Sequence, residues 1–448
     1  MTVTADVVVI GGGFAGVTAA RELTRKGHSV LILEARDRIG GRTYYTERLG
    51  RKLELGGTWV HWFQPHVWAE ITRYRQELTQ SPVPEKGYWI TGGERHEGTG
   101  EELLAIFDPG MTALGAESLR YFPRPYEPLS AADGSPDALD LAAADKITVA
   151  ERIAELDIPA AQRELVDAFW TLNFSGPTHE GSWLQALRWH ALCGGQWMLW
   201  FEACATHRLK NGTAGLIDAI LADSTAEVRL DSEVTGIDQS GDAVEIALAD
   251  GSTVTASAVV VTLPLNALGS IDVTPPLSTG KRAAASEGQA SRGVKVWIRA
   301  RGRLAPFAAI APADRPFQLL QKEYEVDGDT LIVSLGRDAT ALDFTDRAAV
   351  EQVVRELIPD IEVVDVASHD WVADPYARET WGMLRPGQLT GAMPELQRPE
   401  GRLVLAGADY ANGWYGFIDG AIESALSAAA TVHDWLGPTG TPPTRNPN

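Results

Sequence analysis

The feature that most restricts what this chain can fold into is the run ADVVVIGGGFAGVTAARELTRKGHSVLILEA, residues 5–35. Val7 to Ile10 is continuously apolar and β-branched, the pattern of a parallel strand covered on both faces. Val17, Ala20, Leu23 and Thr24 recur at helical spacing, and Gly27 marks the helix end. A second apolar strand then closes on Glu34, 23 residues beyond Gly11. Strand, turn, helix, strand and acid in that order form a βαβ unit whose Gly11, Gly13 and Gly16 stand in the GxGxxG spacing of a dinucleotide site. Each glycine has a mechanical task. Gly11 lets the chain turn tightly, Gly13 lets a diphosphate approach the main chain, and Gly16 lets the helix lie close against the strand, with the helix N-terminus facing the phosphates.

A second glycine pair, Gly40–Gly41, runs into Arg42 and Thr43 shortly after the acid. A nicotinamide dehydrogenase has no need of it. A longer cofactor lying extended along the sheet does, because its diphosphate and sugar call for more backbone amides and a guanidinium able to make charge-assisted contacts.

At 448 residues the chain exceeds one small core, so two units are expected. Residues 148–205 read as helical. Within them Trp183, Trp189, Trp197 and Trp200 fall at helical spacing, which points to a core, with the lining of a hydrophobic cavity as the sharper alternative. Pro123–Lys146 reads as a surface connection, and Val228–Leu265 as a β-meander with turns at 240–242 and 249–252. A further strand at 402–407 and an Ala-rich helix at 418–436 close the pattern. Nucleotide-type elements at both ends with other material between them imply a discontinuous α/β fold: a Rossmann-like GxGxxG domain plus an α+β domain. The Pro/Gly/Thr-rich stretch 437–448 is expected to be disordered.

Sixty acidic against 39 basic residues give a net charge of −21, which repels a phosphate backbone and favours a cationic small molecule. Cys193 and Cys204 match no zinc or CxxC spacing and read as buried thiols in a reducing compartment. No apolar run reaches the ~18–20 residues of a membrane helix, and the opening residues leave no room for a secretory leader, so a cytoplasmic protein is expected. His61 and His66 have no acid or cysteine at matching spacing, so no metal is expected. Lys295, in the alternating stretch RGVKVWIRA, would ordinarily be solvated. With neither a Ser–His–Asp pattern nor paired carboxylates, a cofactor is expected to carry the chemistry.

The stretch from Val7 to Thr43 resembles the FAD-binding signature of the flavin-containing monoamine oxidase family. LGGTWVHWFQPHVWAEITRY (55–74) and GWYGFIDGAIESA (413–425) are most similar to its soluble fungal members. The resemblance implies an FAD domain from 1–75, 208–285 and 366–436 and a substrate domain from 76–207 and 286–365. It implies that Glu34, with Ala35 and Arg36 beside it, holds the adenosine ribose, and that Gly41 and Arg42 lie at the diphosphate. Gly57 and Thr58 would then flank the flavin ring, Val234 read adenine through its main chain, and Asp409 stand at the ribityl and phosphate region. Ile418 would open a helix whose N-terminus supports negative charge on the flavin.

By the same resemblance Lys295 reaches flavin N5 through a water, Trp371 lies by the flavin, and Trp381 and Phe417 are paired aromatic walls for an amine. Thr380 stands where membrane-bound animal members carry a flavin-bonding cysteine, so the FAD is expected to be non-covalent. The implied activity is oxidation of a primary or secondary amine by hydride transfer, with O2 reduced to H2O2, and the tryptophan-rich segment 181–203 points to an aryl-alkyl or alicyclic amine over a polyamine. A dehydrogenase serving a carrier protein and a non-catalytic flavin-binding module are the rivals, and a homodimer is the default assembly.

Overall fold

The computed structural model describes residues 4–130 and 134–437. The opening unit forms as its pattern dictates: strand β1 (Ala5–Ile10), helix α1 (Phe14–Arg25) and strand β2 (Val30–Leu33). β1 lies centrally in an eight-stranded sheet, parallel to β2 on one side and to Thr253–Val261 on the other, with Val8 level with Leu31 and Val259. Its side chains alternate between two cores. Val7 and Val9 pack with α1 and the closing helix Ile418–Leu436, whereas Val8 and Ile10 pack with Leu265, Leu268 and Leu396. A strand buried on both faces can afford no polar position, which is why this segment is an unbroken apolar run.

Val234–Asp238, Val244–Leu248 and Thr253–Val261 zigzag antiparallel as a meander. Glu227–Arg229 leaves that pattern and runs parallel to β2 on the far side of the sheet. Leu403–Leu405 pairs in parallel with Thr253–Val261, so the sheet gathers strands from both ends and the middle of the chain.

A second, seven-stranded sheet runs in the order Val363–Ser368, Val294–Ala300, Asp329–Gly336, Leu319–Val326, Phe307–Ile310, Lys86–Thr91, Glu94–Thr99. Its first strand crosses the sequence boundary placed at 365/366. In Val294–Ala300 the even residues Val296 and Ile298 enter one core, while Trp297 packs on the other side against Leu53 and Leu55. Period-two alternation therefore puts Lys295 on the Trp297 face, toward the segment that follows Leu55.

Helices Gly100–Gly115, Ala160–Phe174, Trp183–Leu192 and Trp197–Ala205 build an aromatic core beside this sheet. The stretch Pro123–Lys146 is not wholly connection: Ser135 accepts the Ala138 N–H and starts a helix over Pro136–Ala144, with Pro136 at its first position. Both cysteines are free thiols, Cys193 buried and Cys204 partly so. Among the described residues no helix is long and apolar enough to cross a membrane. Gly437 caps the closing helix, and 438–448 lie outside the described residues.

Candidate active site

The two sheets share a cavity of about 500 Å³. All the sequence-nominated residues line it except Gly16 and Asp409, which stand one layer behind. At Gly11 φ is +106°, and a Cβ there would strike the Thr262 hydroxyl; at Gly16 it would overlap the Gly11 carbonyl oxygen. Gly13 opens α1 with no side-chain cap, and a Cβ there would meet only Gly41 Cα at 3.7 Å. The turn thus offers bare main chain and uncapped N–H groups to the cavity, a cradle that fits a diphosphate.

The second glycine pair is explained by the first. Gly40 donates to the Gly12 carbonyl at 2.9 Å, and a Cβ on Gly41 would come within 3.3 Å of Gly13 Cα. Two turns, one on each side of the acid, are pressed together so that both face the cavity. Glu34 anchors the first turn: its carboxylate accepts the Gly12 N–H at 2.6 Å and, from the segment between the turns, the Arg36 N–H at 3.0 Å. Ala35, Arg36 and Val234 extend this end of the cavity.

Arg42 continues the wall. Its guanidinium is held from behind by Asp409, at 2.9 and 3.0 Å, and by Glu379, both carboxylates being fully buried. Sequence reasoning found Asp409 but missed Glu379, an acid 337 positions from its partner with no periodicity or motif to mark it. Gly57 donates to the Arg42 carbonyl at 3.1 Å, and the Trp371 indole N–H donates to Leu55 O at 2.9 Å, fixing the segment 55–58 along the cavity.

Lys295 is buried, not solvated, at 5% exposure. Its ammonium donates to Gly56 O at 3.0 Å and to the Thr58 hydroxyl. Burial lowers its pKa to about 8, with the Glu54 and Glu323 carboxylates opposing that fall. Glu323 is paired with Arg208, and Glu54 accepts the Thr213 N–H at 2.5 Å; neither acid was nominated from sequence.

Past Lys295 the wall becomes aromatic. Trp381 donates its indole N–H to Asn173 O at 2.8 Å, and Thr380, beside it, hydrogen-bonds Ser291 at 2.8 Å. Phe417 meets Trp189 edge-on at 5.6 Å and Trp414 at 5.0 Å. Ile418 begins the closing helix, whose first turn carries no side-chain cap. Of the four tryptophans at helical spacing, Trp189 and Trp200 line the cavity, while Trp183 and Trp197 do not. Trp200 stacks on Trp170 at 5.1 Å and 12° and on Trp189 at 5.8 Å and 15°, giving a rigid slab. Carboxylates reach the cavity only at Glu34, Glu101 and Glu233 among the described residues.

His61 and His66 do gain acids from elsewhere in the chain: His61 Nε2 lies 3.5 Å from Glu202 beside His207, and His66 Nδ1 lies 3.1 Å from Asp419. His61 Nδ1 accepts the Phe63 N–H, which turns Nε2 toward Glu202. Asp419 accepts the N–H groups of His66 and Val67 and so caps the helix Pro65–Arg73.

A dinucleotide cradle opening without a break into an aromatic chamber defines a two-part oxidoreductase. The chain belongs to the family of flavin containing amine oxidoreductases, whose model matches residues 14–433. It is 38% identical over 437 residues to a pseudooxynicotine dehydrogenase of a Pseudomonas species, covering 96% of this chain and 86% of that one. It is 37% identical to a nicotine dehydrogenase of Pseudomonas putida (96% and 89% covered) and 32% identical to an (S)-6-hydroxynicotine oxidase of Paenarthrobacter nicotinovorans (95% and 99%). Solved structures of a putrescine oxidase variant (TM-score 0.82, 97% and 100% covered) and of the cyclohexylamine oxidase from Brevibacterium oxydans (TM-score 0.77, 96% and 99%), each 21% identical, share the fold.

Proposed function

We propose that the protein is an FAD-dependent amine oxidase acting on an aryl-alkyl or alicyclic primary or secondary amine. The observation that carries this is the cavity's change of character at Lys295, from glycine main chain and Arg42 on one side to Trp381, Phe417, Trp189 and Trp200 on the other. When bound, FAD would supply the two-electron acceptor for oxidation of the amine to the imine, with O2 reduced to H2O2.

The protein's own part is positioning and charge. The cradle glycines, Glu34 and Arg42 hold the dinucleotide, and segments 1–75, 208–285 and 366–436 make up its domain. Trp381 and Phe417 present ring faces to the amine nitrogen, whose N–H groups suit the ring quadrupole. Lys295 places a positive charge beside the reacting centre, where it stabilises the charge that develops on oxygen. Glu101 opens the helix Gly100–Gly115, and the acids at the other end, Glu34 and Glu233, belong to the cradle. Outside the cradle, Glu101 is the one acid lining the cavity among the described residues, and the slab itself is wholly aromatic, which favours a monoamine over a polyamine. Thr380 has no thiol to bond the flavin, so the cofactor is held non-covalently. We place the protein in the cytoplasm, as a homodimer without nucleic-acid or membrane partners.

The names of the two Pseudomonas relatives favour a second reading, a dehydrogenase that passes its electrons to a carrier protein. One experiment separates the two. The protein is mixed anaerobically with aryl-alkyl, alicyclic and poly-amines, the flavin absorbance is followed, and air is admitted. Bleaching with rapid recovery supports the oxidase, bleaching without recovery the dehydrogenase, and no bleaching by any amine refutes both.

A further inference from the structure

The charge behind Arg42 does not balance. Glu379 and Asp409 are both fully buried, and Arg42 is the only cation paired with either among the described residues. Their oxygens also take main-chain N–H groups from one turn, Leu265 to Asp409 at 3.2 Å and Asn266 to Glu379 at 3.0 Å. Two carboxylates on one guanidinium leave one negative charge uncompensated in fully buried surroundings, a costly arrangement. Glu379 meets Nη1 and Asp409 meets Nη2 of the same guanidinium, so two like charges would stand side by side in buried surroundings, an arrangement that favours a proton on one of them.

The titratable groups facing the pair are Arg42, Tyr410 and Tyr415, and burial raises both phenols well above their usual range. They stay neutral and add no positive charge. Between the two acids, burial and the charge of Asp409 hold the Glu379 carboxyl well above the usual carboxylate range. Asp409, which takes both of its contacts with Arg42 from Nη2, is the better placed anion.

We propose that Glu379 is a positioning residue that stands protonated, so that the cluster behind Arg42 is neutral instead of anionic where the cofactor's diphosphate lies. This rests on the FAD reading above. Ionising Glu379 would set a buried negative charge behind the guanidinium that receives the diphosphate, so cofactor and proton bind together. The sign follows: affinity for FAD is highest while Glu379 holds its proton and falls as pH rises.

The test uses full-length protein and measures FAD affinity by equilibrium dialysis against pH. Expected is a plateau followed by an alkaline fall of up to tenfold per pH unit, the limit for one coupled proton. Glu379→Gln cannot ionise and should lose the fall while still binding FAD. Asp409→Asn should lose it too, because Glu379 then ionises as the sole partner of Arg42 without making the cluster anionic. An equal alkaline fall in both variants, or a wild-type affinity that is flat until the protein unfolds, overturns the proposal. A second readout does not depend on the cofactor: the infrared difference spectrum, wild type minus Glu379→Gln, should show a protonated carboxyl band at neutral pH. Ionised carboxylate bands in its place overturn the proposal. Failure of FAD to bind at any pH refutes the cofactor reading instead and leaves the infrared result to decide on the proton.

Discussion

The cradle and the chamber line one cavity and are built by opposite means. The cradle is main chain: two glycine turns pressed together, a carboxylate accepting the Gly12 N–H of the first, and an arginine locked by acids behind it. The chamber is side chain: indole and phenyl rings from several helices, held edge to face and face to face. At Gly16 the main chain tolerates no change, because a single methyl collides with a backbone carbonyl that cannot move, whereas packed rings can rearrange at a cost in order. The cradle should therefore fail abruptly and the chamber by degrees.

Gly16→Val is the most severe test of that contrast. Its Cβ would overlap the Gly11 carbonyl, so the helix must leave the strand, and we expect loss of bound flavin together with a stability cost above about 3 kcal/mol. Flavin absorbance per protein and a thermal melt read both, and a Gly16→Val protein that keeps its flavin breaks the contrast outright. Lys295→Met comes next. It sits where the two regions meet, and removing its charge should slow reoxidation of reduced flavin by air about 100-fold while anaerobic reduction by amine changes only a few-fold. In the wild type the charged form exists below about 8 and is lost above it, so reoxidation should slow as pH rises through that value. A profile equally steep in Lys295→Met would assign the ionisation elsewhere.

In the chamber, Trp200→Ala removes one ring of the slab. It should cost about 3–5 kcal/mol of stability, leave the flavin content intact and admit bulkier amines. Loss of flavin in that variant would show that the two regions are not separable. The mildest change is Thr58→Val. It removes one of the two acceptors of the Lys295 ammonium, and a loss of about 1–2 kcal/mol would slow reoxidation by roughly 5–30-fold. No change there would mean that Gly56 O alone holds the lysine.

The same contrast governs how much could be read without coordinates. β1, α1, β2 and the helix 418–436 appear as their periodicities predict, because glycine turns and apolar runs act over a few residues. Glu379, Glu54 and the Glu323–Arg208 pair left no trace, since each depends on a partner far along the chain and isolated acids look like surface. The tryptophans fall between these cases. Helical spacing identifies them as buried, but only tertiary packing sorts Trp189 and Trp200 from Trp183 and Trp197. Glu227–Arg229 shows the limit for strands: its neighbours in sequence suggest a meander, while its hydrogen bonds go to β2, nearly 200 residues earlier.

The central place of β1 also sets a schedule. That strand is synthesised well before its cover: one neighbour, Thr253–Val261, comes about 250 residues later, and the helix that packs beside it begins at Ile418. At the usual pace of translation, ~5–20 residues per second, the apolar run Val7–Ile10 waits tens of seconds for its cover. A ribosome-bound chain thus carries the whole glycine fingerprint without being able to close a pocket around anything. Cofactor capture becomes a report that the helix Ile418–Leu436 has arrived, and a chain stopped before it would be colourless and sticky, marked for removal by its own uncovered β1.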